Sequence, residues 1–226
     1  MKNDIRRYIH KKRTQIMLYE QTLMRLNAID NIKTADIDLI AKEYYQSKID
    51  VAELYPYLSK NSAIHRIYFY VSLKSIKKYE DQISFIEDHF SDLHDWWHVD
   101  FLLQLLTKAP SFSYVYEKAK QYIQSELTFV RRWGYVIFLS GWQKDRHYTL
   151  KILALLHNDQ EHYVQMAEAW LLADLAIYNP EVVIDFIKSQ SLHYKIIGKG
   201  IQKMCDSFRI NDEFKIRVKA LRSLYK

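Results

Sequence analysis

A chain of 226 residues with only 4 glycines and 3 prolines carries far fewer turn formers than the roughly 16 and 11 of average usage. That leaves little room for hairpins. It leaves none for a glycine-rich phosphate loop, whose backbone must approach its ligand without a Cβ, so Walker-type and dinucleotide-binding functions are excluded. With 49% apolar and 27% charged residues the chain can bury a core, and an all-α fold is expected. The net charge of +6 is concentrated at the ends: residues 1–25 hold seven Lys/Arg against two acids and residues 195–226 hold nine against three, which leaves the middle at −5. Basic ends around an acidic middle suit a curved body that lays both arms on a polyanion, because phosphate neutralisation releases counterions. Solvated helix faces are the plainer alternative.

The single cysteine, Cys205, cannot form an internal disulfide or a Cys-based metal cage, which fits a reducing cytoplasm. Lys2, Arg6, Arg7, Lys11, Lys12 and Arg13 crowd the first residues with no apolar run of signal length behind them. Apolar stretches such as Tyr135 to Leu139 fall far short of the roughly 20 residues that cross a bilayer. The expectation is a cytoplasmic monomer without a membrane partner, a metal or a cofactor.

In chain order, periodicity near 3.6 predicts helices over 3–28, 35–47, 51–58, 61–76, 79–90, 94–107, 111–124, 126–141, 145–157, 160–178, 180–188, 192–205 and 211–224. Thr34 ahead of Asp36, and Ser111 after Pro110, read as helix starts, and Asn179-Pro180 closes one helix and opens the next. Helices this short, joined by two to five residues, fold back in antiparallel pairs, and stacked pairs make a solenoid. Self-similarity supports repetition. Residues 129–134 align with 163–168 at a shift of 34, and Trp96, Arg132 and Trp170 are 36 and 38 apart, near the roughly 40 residues of a HEAT-type pair. A non-repeating bundle is the alternative. With no linker or low-complexity segment, 1–226 reads as one domain.

Trp96 and Asp100 lie one turn apart at the edge of the stripe Val99, Leu102, Leu103, Leu106. A carboxylate and an indole on one surface both attract a cation; the alternative is a core tryptophan beside a solvated aspartate. On the helix over 160–178, Tyr163, Met166, Ala167, Trp170 and Asp174 share a face. Arg131-Arg132 sits among Phe129, Val130, Trp133 and Tyr135, so at least one guanidinium should meet solvent or an anion. His94 and His98 have metal-compatible spacing, but no third ligand accompanies them. No serine occupies a Gly-x-Ser-x-Gly elbow.

The string Asp95-Trp96-Trp97-His98-Val99-Asp100-Phe101 resembles the Trp-Asp-x-Val-Asp signature of the AlkD-type alkylpurine DNA glycosylases, which are HEAT-like repeat proteins. Phe129-Val130-Arg131-Arg132 is similar to that family's arginine helix. Tyr163 to Leu172 is similar to its Val-Gln-Lys-Ala-x-Gly-Trp-x-Leu-Arg helix, in the same order and at similar distances. The resemblance covers roughly residues 50 to 215 and implies a curved HEAT-like solenoid with a concave groove, residues 1–50 being a divergent basic segment ahead of the repeats. It implies Trp96 and Trp170 as aromatic walls, Asp100 as the carboxylate between them and Arg132 on backbone phosphate. The implied chemistry is hydrolysis of the N-glycosidic bond of N3- or N7-alkylated purines, which leave as good leaving groups. Arg131, Lys195, Lys199 and the terminal Arg6, Arg7, Lys11 and Lys12 are the remaining candidate contacts to duplex DNA, damaged or branched. No glycine precedes Gly134, so the family's Gly-x-x-x-Pro-x-x-Arg-like segment has no counterpart. A noncatalytic DNA-binding member and a protein-interaction scaffold therefore stand beside the glycosylase.

Overall fold

The computed structural model describes residues 17–189 and 191–225, which are helical apart from turns and short connections. They contain no strand. The chain divides into two compact units, one of residues 1–92 and 104–108, the other of residues 93–103 and 109–226.

In the first unit α1 occupies 17–27, followed by α2 (Thr34–Gln46), a 3-10 turn (Val51–Tyr57), α3 (Ser62–Ser75), α4 (Tyr79–Asp88) and a short 3-10 turn (Phe90–Asp92). Asn61 starts α3 by accepting from the N–H groups of Ala63 and Ile64, which have no acceptor within the helix. α2 packs on α3, and the fork of Arg66 holds both carboxylate oxygens of Asp38, Nε to Oδ1 at 2.6 Å and Nη2 to Oδ2 at 2.8 Å. The stretch expected as a helix over 51–58 is a 3-10 turn because Pro56 lies inside it and supplies no N–H.

The second unit holds α5 (Trp96–Asp100), α6 (Phe112–Tyr122), α7 (Thr128–Val136), α8 (Arg146–Leu153), α9 (His162–Tyr178), α10 (Pro180–Lys188), α11 (Tyr194–Asp206) and α12 (Asp212–Ala220). Ser111 caps α6 through Tyr114 N–H at 3.1 Å, and Pro180 opens α10 behind Asn179, as expected. Alternate helices pack side by side in the order α5, α7, α9, α11, while α6 lies against α7 and α10 against both α8 and α9. α9 is the hub. Ten of its residues are buried, and such all-round burial requires the nearly continuous apolar composition it has. The expected helix over 126–141 ends as a regular helix at Val136 and tightens to a 3-10 turn that stops at Gly141, whose φ of +103° suits glycine.

Gly134 and Gly200 mark two close approaches with different tolerances. A Cβ on Gly134 would lie 2.6 Å from Ile123 Cγ2, 3.0 Å from Ile123 N and 3.3 Å from Ala119 O, so the α6 backbone itself stands in the way. On Gly200 its one close contact would be the flexible end of Leu172, at 2.9 Å, with the Ala169 carbonyl at an ordinary 3.6 Å. Gly134→Ala is expected to destabilise by about 1–3 kcal/mol and Gly200→Ala by clearly less. Urea denaturation of the two variants measures this, and equal losses would contradict the packing argument.

Candidate functional site

The four stacked helices of the second unit carry the described site candidates. Trp96 and Asp100 lie on α5, Arg131 and Arg132 on α7, Trp170 on α9, and Lys195 and Lys199 on α11. Arg6, Arg7, Lys11 and Lys12 fall outside the described residues.

α5 is five residues long and is started by its neighbour. Asp95 Oδ1 accepts from Trp96 N–H at 2.7 Å, and Oδ2 accepts from Trp97 Nε1 at 3.2 Å. This cap sets Trp96 on the first turn, where the residue is 47% exposed. It is not a core tryptophan. Asp100 closes the same helix, half buried, and four residues of helical spacing put it on the face of Trp96.

Arg132 is 5% exposed and each of its three guanidinium nitrogens donates a hydrogen bond. Nε donates to Asp100 Oδ1 at 2.8 Å, Nη2 to Oδ2 at 2.7 Å and Nη1 to the carbonyl of Tyr163 at 2.5 Å. Such a two-pronged pair is the strong geometry for Arg and carboxylate. It uses one lone-pair site on each Asp100 oxygen and leaves the others open. Arg131 turns elsewhere: Nε meets Asp159 Oδ2 at 2.6 Å, and Nη1 meets the carbonyls of Ser125 and Glu126 at 2.9 and 3.2 Å. The sequence required only that at least one guanidinium meet solvent or an anion, and the family resemblance put Arg132 on backbone phosphate with Arg131 as a further candidate. In the folded unit both sit on its own carboxylates, because a buried guanidinium needs a local anion.

Trp170 is half buried midway along α9. Seven residues earlier on that face stands Tyr163, 42% exposed and 5.5 Å from the ring of Phe129; its carbonyl receives Arg132. One turn after Trp170, buried Asp174 accepts from Gln143 and, at 2.7 Å, from Arg209. Lys195 and Lys199 are exposed one turn apart on α11. His94 and His98 do not converge on an open site, since His98 Nδ1 accepts the His94 N–H at 3.1 Å.

The sequence reading missed Arg209, Gln143, Asp159 and His157. A signal for Arg209 existed. Trp-x-x-x-Asp occurs at 96–100 and again at 170–174, and an arginine follows 32 and 35 residues after each aspartate.

Beneath this surface Glu168 is fully buried. Its Oε1 accepts from His157 N–H at 2.9 Å, and Oε2 has no hydrogen-bond partner among the described residues. Burial raises its pKa above the usual carboxylate range, against the hydrogen bond from His157. Nearby Asp159 moves the other way: burial opposes ionisation, but the hydrogen bonds from Arg131 and the Glu161 N–H outweigh it and lower the pKa. The folded chain thus keeps the Glu168 proton to higher pH than the unfolded chain. Stability falls as pH climbs from the ordinary carboxylate range through the raised pKa, by up to about 1.4 kcal/mol per pH unit in that window. In Glu168→Gln that part of the loss is expected to vanish, leaving a flatter stability profile above the ordinary carboxylate range. An unchanged profile in urea melts would show that Glu168 titrates alike in both states.

The family model described as DNA alkylation repair enzyme matches residues 28–201, from ahead of α2 into α11, and so includes Trp96, Asp100, Arg132 and Trp170. No curated protein and no solved structure matches the chain significantly.

Proposed function

Because the chain belongs to the DNA alkylation repair enzyme family, a family of HEAT-like helical repeats, we propose that it binds duplex DNA and hydrolyses the N-glycosidic bond of N3- or N7-alkylated purines. The observation that carries this reading is the pairing of an exposed indole, Trp96, with a carboxylate one turn away whose two oxygens are held by a buried arginine.

In such a nucleotide the alkylated base is already cationic. The bond from C1′ to the purine nitrogen breaks with its electron pair going to the nitrogen, so the base leaves neutral and the positive charge passes to the sugar. Asp100 stabilises that charge and, through its open lone pairs, orients the water that adds to C1′ and loses a proton. Trp96 and Trp170 offer π-faces to the cationic base, worth on the order of 1–2 kcal/mol when desolvated. Arg132 acts through Asp100 as a positioning residue: it fixes the carboxylate geometrically and leaves phosphate contacts to others. Lys195 and Lys199 on α11, with Arg6, Arg7, Lys11 and Lys12 ahead of the described residues, are read as backbone contacts.

A specific observation favours a second reading, a noncatalytic member that grips DNA. The two-pronged Asp100–Arg132 pair has a two-pronged counterpart in Asp38–Arg66 and a single-bonded one in Asp174–Arg209, so an aspartate–arginine contact of this kind also serves the packing of the helices. Incubating the chain with a duplex containing one N7-methylguanine separates the readings. Free methylated base and matching abasic sites, above spontaneous loss, are the expected result. Tight duplex binding with no release would establish the second reading instead.

A further inference from the structure

At the N-terminal ends of α9 and α11 the second unit forms a half-open hollow of about 580 Å³. His162, the first residue of α9, and Gln165 line it from one side; His193, which precedes α11, and Lys195 in the first turn line it from the other. The two sides are tied together by Asn158, whose side chain donates to the Ser191 carbonyl at 3.1 Å and accepts the His193 N–H. Asn158 holds a φ of +64° to do so, a conformation asparagine tolerates better than most residues.

The charge balance of this hollow points to an anion. Its one carboxylate, Asp159, is neutralised by Arg131 and its side chain is only 5% exposed. Lys195 makes no ion pair among the described residues, so its charge stands uncompensated at the wall. His162 and His193 are both exposed and add imidazole nitrogens that can donate; His193 Nδ1 is taken by the Lys195 N–H at 3.3 Å, which leaves Nε2. Leu192 is the one aliphatic side chain among the described lining residues, and the others are polar, charged or imidazole groups. The volume leaves ample room for a tetrahedral oxyanion with its hydration. The N-terminal turns of two helices add potential of the same sign. Eight residues along α9 separate His162 from Trp170, about 12 Å of helix.

We propose that this hollow binds a phosphate of the DNA backbone, with Lys195 supplying the charge and His162 and His193 the hydrogen bonds. The inference rests on the DNA-binding half of the reading above. The same oxyanion chemistry would suit free phosphate, and the test has an arm for each source. Affinity of the full chain for an undamaged duplex is measured against salt for wild type, Lys195→Gln and Lys195→Arg. The imidazole resonances of His162 and His193 are followed during additions of the same duplex and, separately, of inorganic phosphate.

Lys195→Gln is expected to bind several-fold more weakly, with the salt slope reduced by about one. Lys195→Arg should restore both, and the duplex should move both histidine signals. A wild-type slope and affinity in Lys195→Gln would overturn the proposal. So would histidine signals that respond to inorganic phosphate and not to duplex, which would mark a site for the free ion. Failure here is distinguishable from failure of the glycosylase reading. An intact methylguanine release with a Lys195-independent salt slope refutes only the hollow; a Lys195-dependent slope without base release refutes only the chemistry.

Discussion

Arg132→Ala should destabilise the second unit by about 3 kcal/mol or more, the range expected when one partner of a buried pair is removed. The side chains of Arg132 and Asp100 are 6% and 18% exposed, so the abandoned carboxylate regains little water, and the Tyr163 carbonyl loses its donor as well. Arg132→Lys should recover only part of the loss, because an ammonium cannot grip both oxygens and the carbonyl at once in the planar fork. All five tryptophans, at 96, 97, 133, 142 and 170, lie in the second unit. Denaturation followed by tryptophan fluorescence therefore reads this unit directly. A loss below 1 kcal/mol would mean that Asp100 is solvated without its arginine and is not held in place by it.

Asp100→Asn carries the largest expected effect on chemistry. Asparagine keeps the size of the side chain and one carbonyl acceptor for Arg132, so the unit should fold, with a smaller stability loss than Arg132→Ala. What it removes is the negative charge opposite the developing sugar cation. Loss of one such preorganised electrostatic group lowers rates by about 10²–10³. Duplex affinity should be unchanged or slightly raised, since a negative charge facing DNA is gone. A variant that released base at the wild-type rate would remove Asp100 from the chemistry whatever the pairing with Arg132 looks like.

How far the sequence led can be traced residue by residue. Helices whose boundaries are local were legible: Ser111 and Pro180 sit where capping and proline rules put them. The helix expected over 94–107 was not. It is regular only to Asp100 and continues as a 3-10 turn over Leu102–Leu105. The reason is tertiary. Gln82 donates to the Leu105 carbonyl at 3.3 Å and accepts the Thr107 N–H at 2.8 Å, so a side chain from α4 satisfies the groups that a longer helix would have paired, and no local pattern announces it.

The site divides in the same way. Trp96, Asp100 and Trp170 were singled out from motif and spacing, and the exposure of Trp96 removes the alternative of a core tryptophan at that position. The partners of Arg131 and Arg132 were not readable, because Asp159 and Asp100 lie 28 and 32 residues away and apolar neighbours on the helix argue equally for solvent or an internal anion. Charge counting drew attention to Lys195. The hollow beside it depends on Asn158 meeting residues 33 and 35 positions later, a closure visible only in three dimensions.

Single-turnover kinetics on a duplex with one N7-methylguanine, enzyme in excess, compare wild type with Asp100→Asn and so decide whether Asp100 held by Arg132 assists departure of a cationic purine. Wild type is expected to release base well above spontaneous depurination, and the variant at a rate at least a hundredfold lower at full duplex occupancy; this assigns Asp100 its role in the chemistry. Equal rates in the two proteins, or a wild-type rate at the spontaneous background, would contradict it.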